Sequence, residues 1–112
     1  MYLNQGDIVL VPYPFSDLTE TKKRPAIVIS NSKINKSHDV ILAAITSTVY
    51  NDDFTFRIID SIVTTPLRLH CEIRCDTLFT ADKSIIIAKI SALKKNIYPN
   101  VLKQIEKGIE IL

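Results

Sequence analysis

The apolar positions of this chain fall into short runs separated by polar turns, a pattern of strands rather than long helices. Ile8-Val9-Leu10-Val11 follows Gly6-Asp7 and is apolar at successive positions, which predicts a strand covered on both faces. Pro12 and Pro14 are expected to end or bend it. A polar loop is predicted over 16–23 and a second strand over 25–30, with Pro25 tolerated at its start. Residues 31–39 read as a polar loop with a helical turn. Residues 40–45 form a third apolar strand that runs into Thr46-Ser47-Thr48. Asn51-Asp52-Asp53 marks a turn, and 54–58 alternate as a half-exposed strand. Residues 61–69 give no clear element, and Pro66 argues against a central strand. Over 70–78, Cys71, Ile73 and Cys75 point one way while His70, Glu72, Arg74 and Asp76 point the other. A turn over 81–84 then leads into a strand over 85–90.

The tail changes period. Pro99 suits the first turn of a helix, and Val101, Leu102, Ile105, Ile109 and Leu112 recur at helical spacing. An amphipathic helix packed on a sheet, or on a second copy of the chain, is expected, weakened by roughly 1 kcal/mol at Gly108. Six or so short strands and one terminal helix predict a mainly β (α+β) fold, a small, strongly bent antiparallel barrel.

Composition narrows this picture. A chain of 112 residues with 46% apolar content fits one domain over 1–112 with one core. No apolar run approaches the roughly 20 residues of a membrane span. The start, Met1-Tyr2-Leu3-Asn4-Gln5, lacks the basic and long apolar regions of a signal peptide, so a cytoplasmic protein with no membrane partner is expected. Cys71 and Cys75, on one strand, would sit roughly 13 Å apart, beyond the roughly 7 Å limit of a disulfide. Two reduced thiols are expected. With only a distant His38 to add, they are too few for zinc, and no metal or other cofactor is expected.

A net charge of +2 does not by itself predict nucleic-acid binding, so clustering has to. Lys22-Lys23-Arg24 stands where the polar loop meets the second strand. A forked, always-charged guanidinium fixed at a strand start suits phosphate recognition. The competing reading is a solvated cation, or an ion pair with Asp7, Asp17 or Glu20. Arg74 is open to both a phosphate contact and a local salt bridge worth roughly 0–1 kcal/mol.

These motifs, in this order, resemble the MazF/PemK-type toxins. The resemblance rests on Gly6-Asp7-Ile8-Val9-Leu10-Val11, Pro14-Phe15-Ser16-Asp17-Leu18 and Lys23-Arg24-Pro25-Ala26-Ile27-Val28-Ile29-Ser30. It continues through Ala43-Ala44-Ile45-Thr46-Ser47, Glu72-Ile73-Arg74-Cys75-Asp76 and Lys89-Ile90-Ser91-Ala92-Leu93, covering nearly the whole chain. It implies a barrel like that of the Src-homology-three domains and a homodimer. It implies a type II toxin–antitoxin partner whose extended segment occupies the RNA groove, with DNA binding only as the antitoxin complex. It implies a metal-independent endoribonuclease that cuts single-stranded RNA to 2′,3′-cyclic phosphate and 5′-hydroxyl ends, so inhibiting translation and growth.

Such cleavage uses the ribose 2′-hydroxyl as nucleophile. The site must stabilise charge on phosphate and move two protons. By resemblance Arg24 is the catalytic arginine and Thr46 the catalytic threonine. Charge stabilisation suits Arg24 better than proton transfer, because a guanidinium holds its proton tightly. RNA contacts are expected from Asp17, Thr19, Thr21, Lys22 and Lys23 along the first loop, and from Ser47 and Arg74. Tyr13 and Phe15 offer rings for base stacking, though core packing suits Phe15 better. His38 and His70 have acid–base chemistry, but neither falls on a family catalytic position. Two other functions fit the same barrel. A CcdB-like gyrase poison would need a C-terminal Trp-Gly-Ile, and this chain has no tryptophan. An inactive RNA- or protein-binding barrel would not need Arg24 and Thr46.

Overall fold

The computed structural model describes residues 2–13 and 22–112. Six antiparallel strands form one curled sheet: β1 (Asp7–Tyr13), β2 (Lys22–Val28), β3 (Asp39–Thr46), β4 (Thr55–Ile58), β5 (Cys71–Asp82) and β6 (Ala88–Ala92). Their order across the sheet is β4-β5-β3-β2-β1-β6. The two edges meet behind β4. Val63 bridges Leu93, Thr64 N–H donates to Ala92 O at 2.8 Å, and Lys94 N–H donates to Ile62 O at 2.9 Å. The unplaced segment 61–69 thus supplies the closing seam of a half-barrel. Ser91, itself buried, reinforces the seam by donating to Thr65 O at 2.7 Å.

The apolar run of β1 is buried on both faces, as its pattern predicts. Ile8, Ile27, Ala43, Ile45 and Ile73 build one core with Val101 and Ile105 of the helix α2 (Tyr98–Lys107). Val9, Val11, Ala26, Val28, Val40 and Leu42 build a second on the opposite face, with Leu3 and Ile86. Gly6 opens β1 at φ 90, in the left-handed region that a residue without Cβ enters freely. The buried Asp7 carboxylate holds that corner, accepting from Asn4 N–H at 2.8 Å and pairing with Lys89 Nζ at 3.1 Å.

Several boundaries differ from the sequence reading. Pro12 does not end β1; it lies in register opposite Lys23. Lys22 and Lys23 belong to β2 rather than to a loop, and Pro25 lies inside that strand. Pairing of β2 with β3 begins only at Ala26, so the missing N–H of Pro25 breaks no β3 ladder. The expected turn over 81–84 is instead the end of β5 and a 3₁₀ turn, Lys83–Ile85, capped where Asp82 accepts from Ser84 N–H at 2.8 Å. That turn takes Ile85 out of the strand expected over 85–90. The packing of Ile86 on the second core is satisfied equally well by a turn, which an apolar run cannot distinguish from a strand. Helix α1 (Ser32–Asn35) is the helical turn expected after β2. In the tail, Gly108 caps α2 rather than interrupting it, and Ile109 and Leu112 lie beyond it, exposed. Pro99 does stand in the first turn.

Candidate functional site

The site is built from register. Ala26 pairs with Ala44, and Arg24 and Thr46 lie two residues beyond the end of that ladder, in the row its register would continue. The same transverse row extends both ways: Val11 pairs with Arg24, Thr46 with Glu72, and Glu72 with Arg57. Residues in such a row share one sheet face, with neighbouring Cα atoms about 5 Å apart. Apolar Val11 thus leads into four polar residues at the open end of the second core.

Two cavities share Arg24 and Thr46 of this row as a common wall. One, of about 380 Å³, is lined by Arg24, Thr46, Thr48, Tyr50, Arg74 and Thr77 among others. The other, of about 260 Å³, is lined by Lys22, Lys23, Arg24, Thr46, Ser47 and Leu69 among others. Arg24 and Thr46 belong to both, and together the cavities read as one groove. Both residues are half-buried. The Thr46 hydroxyl oxygen accepts from Thr48 N–H at 3.1 Å. That contact occupies a lone pair and leaves the hydroxyl proton to donate into the groove.

Arg74 reaches the groove because of an irregularity. Ala43 pairs with Leu78 but Ile45 with Ile73, so four residues of β5, 74 to 77, stand against Ala44 alone. This outsized bulge turns Arg74 and Thr77 into the cavity, as bulges do where a strand must re-aim side chains. Arg74 is already engaged there. Its Nη1 pairs with Asp52 at 3.0 Å and its Nη2 with Asp76 at 2.9 Å. Its guanidinium carbon lies 4.1 Å from the centroid of Tyr50. Burial works against the charge on Arg74, but the two carboxylates outweigh it and its pKa is raised. Asp52 is held below the usual carboxylate range, chiefly by its hydrogen bond from Arg74. Of the two readings of Arg74, the salt bridge is thus present, and any phosphate would have to compete with two carboxylates.

The loop carrying Tyr50 and Asp52 is set by Asn51 at φ 52, a left-handed position that Asn tolerates better than most residues. Helix α2 braces the same loop, Gln104 Nε2 donating to Asp53 O. On the far side of the row, His70 Nε2 lies 2.6 Å from Glu72 Oε2.

Lys22, Lys23 and Ser47 are exposed and line the second cavity. Asp17, Thr19 and Thr21, with Phe15, Glu20 and the Tyr13 ring, lie outside the described residues. Asp7 is not the partner of Arg24 in an ion pair; its carboxylate is taken by Lys89. Tyr50, Thr48, Asp52 and Thr77 went unseen as site residues. Asn51-Asp52-Asp53 signals only a turn, and the alternation of 70–78 predicts an even strand where the bulge falls. His38 is exposed. Cys71 and Cys75 are buried and free. Burial pushes the Cys75 thiol up to about 11, with Asp76 adding and Arg74 opposing. Among the described residues no group of three or more His, Cys, Asp or Glu could hold a metal ion.

A curled six-stranded antiparallel sheet with a C-terminal helix and a polar groove across one face defines a toxin-type barrel. The chain belongs to the PemK-like, MazF-like toxins of type II toxin–antitoxin systems, whose family model matches residues 4–109. Solved structures share the fold at low identity. An endoribonuclease in complex with its cognate antitoxin from Mycobacterial species is 15% identical with a TM-score of 0.77, covering 96% of this chain and 94% of that one. The Mycobacterium tuberculosis toxin MazF-mt6 is 18% identical with a TM-score of 0.76, covering 95% and 98%. A MazE-MazF structure from Deinococcus radiodurans is 14% identical with a TM-score of 0.79, covering 97% of each chain. Comparison with curated proteins finds no significant sequence match.

Proposed function

We propose that residues 1–112 form a single toxin domain that acts as a metal-independent endoribonuclease on single-stranded RNA in the cytoplasm. It leaves 2′,3′-cyclic phosphate and 5′-hydroxyl ends, works as a homodimer, and is held in check by a cognate antitoxin. The observation that carries this reading is that Arg24 and Thr46 both line each of two cavities. Family membership supplies the toxin class. The solved relatives include an endoribonuclease bound to its antitoxin, which motivates both the activity and the partner.

The chemistry follows from the side chains. A 2′-oxygen attacking phosphorus puts extra charge on the non-bridging oxygens. The fork of Arg24 can hold two of them. The Thr46 hydroxyl, whose oxygen already accepts from Thr48 N–H, has its proton left to donate to one of the same two oxygens. Lys22, Lys23 and Ser47 hold the flanking phosphates on one side. Arg74 serves the other side once a phosphate displaces a carboxylate. Asp17, Thr19 and Thr21 are further RNA contacts in this reading.

The test is cleavage of a mixed-sequence RNA pool in EDTA, with both fragment ends mapped. Cyclic phosphate and 5′-hydroxyl ends are expected. Arg24→Ala should lose about 10²–10³ in rate, the scale of one preorganised donor to a charged oxygen. Full activity in that variant would sink the site assignment, and no cleavage across the pool would sink the function.

A further inference from the structure

Arg24 and Thr46 can stabilise charge, but neither is a good base for a 2′-hydroxyl. A guanidinium is already protonated and a neutral hydroxyl is a very weak base, so neither accepts that proton. We propose that His70, oriented by Glu72, is the proton acceptor for the 2′-hydroxyl; this rests on the endoribonuclease reading above.

Glu72 is buried, its side chain 7% exposed, while the His70 ring is 32% exposed. A buried carboxylate must be paired. Glu72 meets the ring at 2.6 Å, and it accepts only, so Nε2 carries the proton in the neutral ring. The acceptor lone pair is then at Nδ1. This is the arrangement in which a carboxylate fixes a histidine tautomer for base catalysis.

Its position suits the site. Glu72 is the cross-strand partner of Thr46. Leu69 and Cys71, on either side of His70, line the cavity that holds Arg24, Thr46 and Ser47. His70 and Glu72 themselves line another cavity, of about 490 Å³, at the Glu72–Arg57 end of the row, with Asp52 and Thr55. A dinucleotide lying across the row would place its phosphate at Arg24 and Thr46 and one ribose toward His70. The charged groups facing the ring are Glu72 of β5, Arg57 of β4, and Asp52 of the loop before β4, which Arg74 engages.

The step balances. Nδ1 takes the proton of the 2′-hydroxyl as its oxygen bonds to phosphorus. The bond from phosphorus to the 5′-oxygen breaks, and that oxygen takes a proton from water. The resulting hydroxide removes the proton from the imidazolium, restoring the neutral base.

The test measures kcat/KM against pH for wild type, His70→Gln and Glu72→Gln on one cleaved RNA. Binding to the all-2′-deoxy analogue and thermal melting are followed in parallel. His70→Gln should cut kcat/KM by about 10²-fold or more, the scale of general base catalysis, and abolish the acidic limb. Its analogue affinity should change less than about threefold, because positioning contacts with phosphate stay intact. Glu72→Gln should lower kcat while leaving KM and the analogue affinity nearly unchanged, because the ring loses its orientation while the phosphate contacts stay. A folded His70→Gln with the wild-type rate and pH profile would overturn the proposal and leave the nuclease reading standing. A wild-type protein that cuts no RNA would overturn both. If Glu72→Gln fails to fold, His70→Gln decides alone.

Discussion

At the residue scale, charge in this groove is balanced locally rather than spread. Arg74 carries two carboxylates, so Arg74, Asp52 and Asp76 together bring a net negative charge to a surface proposed to bind RNA. Replacing Asp52 with Asn should free one side of the guanidinium. Tighter binding of single-stranded oligonucleotides and a steeper dependence on salt are expected, measured by fluorescence anisotropy. Equal affinity at every salt concentration would show that Asp76 alone keeps Arg74 occupied. Cys75 gives a second outcome at this scale. Its thiol ionises near 11 in the folded protein, against a reference of 9.0. The raised value means that stability is intact below about 9 and falls as pH rises towards 11. Melting temperatures from pH 8 to 11 should therefore fall less steeply in Cys75→Ala than in wild type. Iodoacetamide at pH 8 should label neither buried cysteine quickly in the native state, and both in denaturant.

At the element scale, α2 and the bulge of β5 do different work. The helix buries Val101 and Ile105 in the core that lies behind the groove. Ile105→Ala should cost about 2–4 kcal/mol, read from urea unfolding. Removing 109–112 should change the same measurement by less than about 0.5 kcal/mol, because Ile111 and Leu112 are exposed. The strand alternation from His70 onward was legible because Cys71, Ile73 and Cys75 must face the core. The bulge was not. It changes the partner across the ladder without changing the polarity of the strand that carries it. The loop after β3 was legible as a turn, yet its role in gripping Arg74 depends on Asn51 at φ 52 and the brace from α2. The brace is a contact between segments distant in the chain, and no local pattern announces it.

At the scale of the whole molecule, the curled sheet closes through Val63 and Leu93 and leaves one polar row open. Among the described residues no helix is long and apolar enough to cross a membrane. Exposed Val49, Tyr50, Ile59 and Leu69 add apolar area to a surface that monomers tend to keep small. Sedimentation equilibrium at micromolar concentration should give twice the 12.7 kDa chain mass. A single species at the chain mass would contradict the homodimer.

The sequence by itself determined the presence of most strands, the two-sided burial of β1 and the terminal helix, and it nominated Arg24 and Thr46. Each is written in local periodicity or in a short motif, and local patterns survive without knowledge of partners. Only the tertiary structure decided that Arg24 and Thr46 share a row with Glu72 and Arg57, that Arg74 is clamped between carboxylates, and that His70 rests on Glu72. The physical reason is that register, bulges and ion pairing are choices between segments. Their free energies depend on what lies across the sheet, and no stretch of chain encodes its neighbour.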